Sequence, residues 1–162
     1  MKRSMIPVLL SCIALSGGCA TPGSLVPGQS TDSEVRARMG PPTDTRVDRD
    51  GDRIWEYATG PEGFFTYMVR IGADGRLKEV NQILTEEQLA KVVPGKMTKA
   101  DVRQLLGRPA DESVYFVGLT WSWRYIRGGV QPGHLVVTFN PDGTVRDTIA
   151  IIDISDDGPP DN

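Results

Sequence analysis

The chain has 162 residues, 39% of them hydrophobic and 24% charged, which is globular composition and enough length for one sizeable domain or two small ones. Its formal charge of −3, from 18 bases against 21 acids, gives no reason to expect nucleic acid as a partner. No cofactor is called for by any motif in it.

The chain opens on basic Lys2-Arg3, runs through apolar Met5 to Leu15 and reaches Ser16-Gly17-Gly18-Cys19. This order predicts a secretory signal over 1–18. An apolar stretch of about 11 residues falls short of the roughly 20 that a spanning helix needs, and no later stretch is longer. Leu15-Ser16-Gly17-Gly18-Cys19 resembles a bacterial lipobox, with Leu15 one place further from the cysteine than is usual. The resemblance implies cleavage before Cys19, a diacylglycerol thioether on its sulfur and further acylation such as palmitate, which together give a durable membrane anchor. Cys12, after Leu9-Leu10-Ser11, is a poorer site, because an h-region ending there has about six residues, below the usual minimum of about seven. With Cys12 discarded and Cys19 acylated, no disulfide can form and the fold must rest on its core. Without Lys2 and Arg3, 16 bases face 21 acids and the net charge is −5. Residues 19–25 are small and polar, suiting a tether.

The remainder repeats itself once. Val26-Pro27-Gly28, Thr31 and Glu34-Val35-Arg36 return as Val93-Pro94-Gly95, Thr98 and Asp101-Val102-Arg103, and Gly40-Pro41-Pro42 returns as Gly107-Arg108-Pro109. The period is about 67 residues. After one inserted residue, Trp55-Glu56-Tyr57 falls on Trp123-Arg124-Tyr125, Val69 on Val137, Asp74-Gly75 on Asp142-Gly143 and Ile83 on Ile151.

Each unit begins with a helix signal, Thr31-x-x-Glu34 and Thr98-x-x-Asp101, in the capping-box arrangement. Val35 and Met39, then Val102, Leu105 and Leu106, recur at helical spacing, and Gly40 and Gly107 are predicted left-handed C-caps. A further helix is predicted over 85–92, led by a Thr85-x-x-Gln88 cap, between the repeats. The period then drops to two at Ile54 to Tyr57 and Phe65 to Ile71, and again at Leu119 to Ile126, Leu135 to Phe139 and Val145 to Ile154. Asp50-Gly51, Asp74-Gly75 and Asp142-Gly143 are hairpin signals. The expected fold is α+β: two tandem units, 26–84 and 85–154, each with short helices packed on a three- to four-stranded antiparallel meander. Residues 155–162 are acidic, contain Pro159-Pro160 and read as a disordered tail.

Catalytic chemistry finds no anchor in this pattern. The sole histidine, His134, sits at a strand entrance without a nucleophile elbow, and reads as a solvated loop residue. Asp48-Arg49-Asp50-Gly51-Asp52 suggests calcium, but an EF-hand needs Gly at its sixth position and Glu at its twelfth, where Arg53 and Thr59 stand. A turn is the better reading. Zinc ligands and phosphate loops are lacking, so the reading is a non-enzyme with no catalytic, cofactor or metal residues. Trp55, Tyr57, Trp123 and Tyr125 keep repeat symmetry and read as core. Trp121 falls opposite Arg53 in the repeat, so its ring is not demanded by the repeated core and is a candidate contact residue. Phe64 and Phe65 beside Gly63, and Arg124 and Arg127 near Gly128-Gly129, are candidates for contact with a partner protein or a lipid headgroup.

The Pro94-Gly95-x-x-Thr98-x-x-x-Val102 helix entry, the Leu106-Gly107-x-Pro109 exit, Trp123-x-Tyr125 and Val136-Val137-Thr138-Phe139-Asn140-x-x-Gly143-x-Val145 resemble the SmpA/OmlA (BamE-like) outer-membrane lipoprotein family. The likeness covers Val93 to Asp153 well, including Gln131-Pro132-Gly133-His134, and Val26 to Ile83 more weakly. It implies a unit of two helices and three antiparallel strands, an outer-membrane location facing the periplasm, and a supporting role in β-barrel protein assembly through partner lipoproteins and anionic lipid. Ala20 after the cysteine resembles lipoproteins sent to the outer membrane. Two units in place of one depart from the family pattern and resemble the β-lactamase inhibitory proteins, so a periplasmic enzyme inhibitor is the second reading and a small-ligand sensor the third.

Overall fold

The computed structural model describes residues 22–59, 63–116 and 118–153; Cys19 and the acidic tail lie outside them. Helix α1 (Asp32–Met39) begins as its sequence demands, with Thr31 Oγ1 accepting from the Glu34 N–H at 3.3 Å and Glu34 Oε2 accepting from the Thr31 N–H at 2.7 Å. Helix α2 spans Glu86–Leu89, and helix α3 (Lys99–Leu106) repeats the reciprocal cap with Thr98 and Asp101 at 3.3 and 2.8 Å. The helix expected over 85–92 is thus half as long. Beyond Leu89 the chain tightens into i→i−3 turns, Lys91 N–H to Gln88 O at 3.1 Å and Val92 N–H to Leu89 O at 3.2 Å. Gly40 and Gly107 end α1 and α3 at φ +79° and +71°, but with ψ at −164° in both, so the caps are extended and not left-handed helical as expected. Positive φ with extended ψ is still glycine territory.

Among the described residues eight strands follow in two groups: β1 (Asp44–Val47), β2 (Arg53–Thr59), β3 (Phe65–Ile71) and β4 (Leu77–Gln82), then β5 (Asp111–Tyr115), β6 (Gly118–Arg127), β7 (Gln131–Phe139) and β8 (Val145–Ile152). Each group forms a four-stranded antiparallel sheet in chain order. That is one strand more per unit than the family resemblance implies. The three Asp-Gly pairs sit in the turns β1–β2, β3–β4 and β7–β8, with Gly51, Gly75 and Gly143 at φ between +82° and +86°.

The sequence repeat is also a repeat in space. The Gly28 N–H donates to Leu77 O at 2.7 Å, as Gly95 does to Val145 at 2.8 Å. Leu77 returns its N–H to Ser30 O at 2.8 Å, as Val145 does to Met97 at 2.7 Å. Each helix entry is thereby laced to the start of its unit's last strand, and the register of each last ladder shifts at the corresponding place, Arg70/Ile71 and Thr138/Phe139.

Alternation sorts the faces. Trp55 and Tyr57 of β2 join Val35, Met39, Val69, Ile71 and Leu77 in a core beneath α1. Trp123 and Tyr125 of β6 join Leu135, Val137, Phe139 and Val145 beneath α3, with Ile83, Leu84, Leu89 and Val92 of the connection closing the same core. The four repeated aromatics are all at least 96% buried. Met68, on the far face of the first sheet, also packs on the second core. The layers therefore run α1, first sheet, α3 with α2, second sheet, and α3 is covered on both sides.

Candidate functional site at the junction of the units

On β2 the residues between the core aromatics, Ile54, Glu56 and Ala58, point away from α1 and toward the second unit. Glu56 is 1% exposed. A buried carboxylate must be paired and hydrogen-bonded, and Glu56 is satisfied chiefly from across the junction. Its Oε2 accepts from Arg103 Nη1 of α3 at 2.8 Å and from Arg46 Nη1 of β1 at 3.5 Å, while its Oε1 accepts from the Arg108 backbone N–H at 2.6 Å. Arg103 reaches on through Nη2 to Asp44, which stands directly across the β1–β2 ladder from Glu56. A charge-assisted fork of this kind fixes both distance and angle between the units. Gly107 is part of the same device, since a Cβ there would lie 2.7 Å from Glu56 Oε1.

Beside Glu56 the units leave a cleft of about 240 Å³, lined from the first by Thr43, Ala58 and Thr66 and from the second by Arg108, Pro109 and Trp123. Arg124 also lines it. Glu56 and Arg124 occupy equivalent places in the two repeats, so the same back-face position carries an acid in one unit and a base in the other. β5 begins opposite Ser122, so among the described residues the later half of β6 has no strand on that side, and β3 of the first unit approaches β6.

The predicted contact residues fall at three places. Phe64 and Arg124 are brought together, the guanidinium carbon lying 5.2 Å from the ring centroid. Phe65 begins β3 next to them, 43% exposed. Arg124 Nε donates to His134 Nε2 at 3.2 Å, and the same nitrogen lies 3.3 Å from Asp153 Oδ2. The two contacts need opposite protonation states: neutral Nε2 accepts from Arg124, whereas protonated Nε2 donates to Asp153. His134 is therefore wired into a sheet face and not a loop. Arg127 stands apart at the end of β6, where its Nε lies 3.5 Å from Glu86 Oε1 and the Gly128 N–H donates to Glu86 Oε2 at 3.1 Å. Trp121 is on the core side of β6, half-buried, edge-on to Trp123 at 6.1 Å and to Phe139 at 4.9 Å. Neither Trp121 Nε1 nor Trp123 Nε1 has a hydrogen-bond partner among the described residues.

The acidic turn proposed against calcium is closed by cations. Asp52, 2% exposed, accepts from Lys78 Nζ at 2.8 Å and Arg70 Nη1 at 3.3 Å, and Arg70 also reaches Asp48 at 2.9 Å. The Lys78 hydrogen bond, offset in part by burial, holds the Asp52 carboxyl below its ordinary range. Among the described residues no group of three or more His, Cys, Asp or Glu side chains is placed to hold a metal.

The residue that sequence reading missed is Glu56 itself. Its signal was present: an acid between two core aromatics, on a strand whose repeat partner carries arginine.

Fold and junction together define a tandem α+β chain of helix-capped antiparallel meanders, two units locked through one buried carboxylate. Residues 81–149 match the family model described as the outer membrane protein assembly factor BamE domain, so the SmpA/OmlA likeness read from the second unit's caps, turns and aromatics holds. The match reaches back from β8 through α3 and α2 to the end of β4. No curated protein sequence matches the chain. Among solved structures, a DUF4309 family protein (YjgB) from Bacillus subtilis is 18% identical and covers 81% of this chain and 84% of its own, with a TM-score of 0.32, a superposition too loose to bear on fold or function.

Proposed function

We propose that this protein is a non-catalytic scaffold anchored in the outer membrane and facing the periplasm, supporting β-barrel protein assembly or envelope integrity through a protein partner. The observation that carries the reading is the match of residues 81–149 to the BamE domain. In this reading residues 1–18 are a signal, Cys19 carries the acyl anchor, 19–25 form the tether, 26–84 and 85–154 are two BamE-like units, and 155–162 are a loose tail. The Glu56 junction supports it physically, because a rigid pair presents one composite surface and two flexibly tethered modules do not. Phe64, Phe65 and Arg124 are the contact residues on that surface, available to a partner protein or an anionic headgroup, and Trp121 and Arg127 lend support from the core edge and the α2 side.

Affinity capture from detergent-solubilised membranes tests the role. Recovery of barrel-assembly components is expected; recovery instead of one soluble hydrolase whose activity falls on binding would establish an inhibitor. The anchor is tested separately. Cys19→Ala is expected to move the protein from the membrane fraction to the soluble one, and a variant that still sediments with membranes would remove Cys19 as the anchor.

A further inference from the structure

Among the described residues four strands form sheet edges, and each carries two charges: Asp44 and Arg46 on β1, Lys78 and Glu79 on β4, Asp111 and Glu112 on β5, and Arg146 and Asp147 on β8, but β8 alone runs on for five uncharged residues after them. Charge on an edge is a common guard against pairing with another chain. β8 differs. Its start is covered, since the Gly95 N–H donates to Val145 O and Thr98 bridges to Thr144, but from Arg146 onward no strand lies on its outer side among the described residues. The segment Thr148-Ile149-Ala150-Ile151-Ile152 has no charge, no proline and no glycine. Ile149 and Ile151 are 55% and 46% exposed.

The register with β7 gives the rows. Asp147, Ile149 and Ile151 lie opposite Thr138, Val136 and His134, on the face away from the helices. Asp153 continues that row: its N–H donates to Pro132 O and its carboxylate reaches His134. The outward row therefore reads Asp, Ile, Ile, Asp. Asp147 Oδ2 pairs with the neighbouring Arg146 at 3.4 Å, while its Oδ1 is buried without a hydrogen-bond partner among the described residues. On the other face, Thr148, Ala150 and Ile152 border a groove beneath α2 that Leu89, Val92 and Leu135 help to line.

We infer that the outer edge of β8 takes up an extended segment of another protein by strand addition, and that the segment is apolar in its middle with a basic residue at each end. The uncharged stretch supplies free backbone groups and apolar neighbours on both faces, and the two aspartates set the flanking charge. A second copy of this chain is disfavoured by the same row. Antiparallel pairing of β8 with itself, centred on Ala150, keeps the apolar stretches together but sets Asp147 directly opposite Asp153 of the copy, twice, and like charges directly opposite destabilise a ladder. The edge is thus guarded against itself and open to a complementary strand. The site does not depend on the assembly role proposed above.

The full-length chain in detergent, titrated at low salt with a fluorescent peptide alternating threonine and valine between two terminal lysines, tests this. The lysine-ended peptide is expected to bind about tenfold more tightly than its aspartate-ended counterpart. The Asp147→Lys/Asp153→Lys variant is expected to reverse that order, and N-methylating alternate peptide amides to abolish binding. Equal affinity for both peptides, insensitivity to N-methylation, or no binding by protein with a native near-ultraviolet spectrum would overturn strand addition. A concentration-dependent dimer lost in Ile149→Lys would overturn the choice of partner in favour of a second copy.

Discussion

Arg103 Nη1 and Glu56 Oε2 meet at 2.8 Å across 47 residues of chain, one on the helix of the second unit and the other on a strand of the first. Neither unit alone satisfies Glu56, whose side chain is 2% exposed against 27% for Arg103. Removing Arg103 leaves the Glu56 carboxylate buried with only the long Arg46 contact and the Arg108 N–H, whereas removing Glu56 leaves a part-exposed Arg103 still paired with Asp44. Arg103→Ala is therefore expected to lower stability by about 3–5 kcal/mol, and Glu56→Ala by less. Arg46→Ala should cost less, because its contact is longer and Arg103 remains. Urea unfolding followed by tryptophan fluorescence checks the order, and the Glu56 variant should also lose the single cooperative transition as the units uncouple. A Glu56→Ala protein as stable as the parent would show that the junction rests on apolar packing alone.

Stability should fall on the acid side for a specific set of carboxyls. Asp52 is held below its ordinary range by the Lys78 hydrogen bond, Asp32 by that of Arg53, and Glu34, Asp101 and Asp142 by backbone N–H groups at Thr31, Thr98 and Thr144. A depressed folded-state pKa contributes stability that is complete above the unfolded value, about 4, and is lost as pH falls through the folded one. Lys78, raised by the same Asp52 contact, contributes below its unfolded value and loses that contribution as pH climbs through the folded value. The melting temperature should thus decline as pH falls below about 5, and decline less steeply in Asp52→Asn. Parallel profiles for the two proteins would remove Asp52 from the account.

Much of this fold is legible in the sequence because caps, turns and core aromatics are local signals repeated twice. Thr31 with Glu34, Thr98 with Asp101 and the three Asp-Gly pairs name their own geometry. β1, β4 and β5 are harder to read: Asp44-Thr45-Arg46-Val47 and Asp111-Glu112-Ser113-Val114-Tyr115 are polar edge strands, held by a neighbour's ladder and not by a buried face. The junction was least legible. Glu56 looks like a solvated residue until α3 of the second unit is laid over the back of the first sheet, and no periodicity announces that arrangement. Trp121 is mixed, since its mismatch with Arg53 in the repeat points to a contact role while the half-buried ring also packs on Trp123 and Phe139.

Trp121 and Phe64 should therefore separate in a pair of tests. Trp121→Ala removes a half-buried ring with two edge-to-face neighbours and is expected to cost about 2 kcal/mol, below the range for a fully buried tryptophan. Phe64→Ala gives up chiefly the contact with Arg124 and should cost about 1 kcal/mol or less. If Phe64 is a contact residue, its variant loses partner capture while keeping its melting temperature. Chemical denaturation and capture measured on the same preparations check both.

Gly40 and Gly107 offer the sharpest comparison, because they occupy the same place in the two repeats with nearly the same backbone. At φ +79° and +71° both resist a side chain, and alanine at Gly40, where a Cβ would meet nothing within 4 Å, should cost only that backbone strain, about 1–3 kcal/mol. At Gly107 the added Cβ would stand 2.7 Å from Glu56 Oε1, 2.9 Å from its Cδ and 3.1 Å from Ile83 Cδ1. Glu56 cannot withdraw without giving up Arg103 and the Arg108 N–H. Gly107→Ala is therefore expected to exceed Gly40→Ala by about 2 kcal/mol or more, in the range of a broken buried network. The excess should largely vanish in a Glu56→Ala background, where the carboxylate that the methyl meets is gone, and a double-mutant cycle by urea unfolding measures it directly. Equal costs for the two glycines would mean that the second unit does not press on Glu56 as closely as the junction requires.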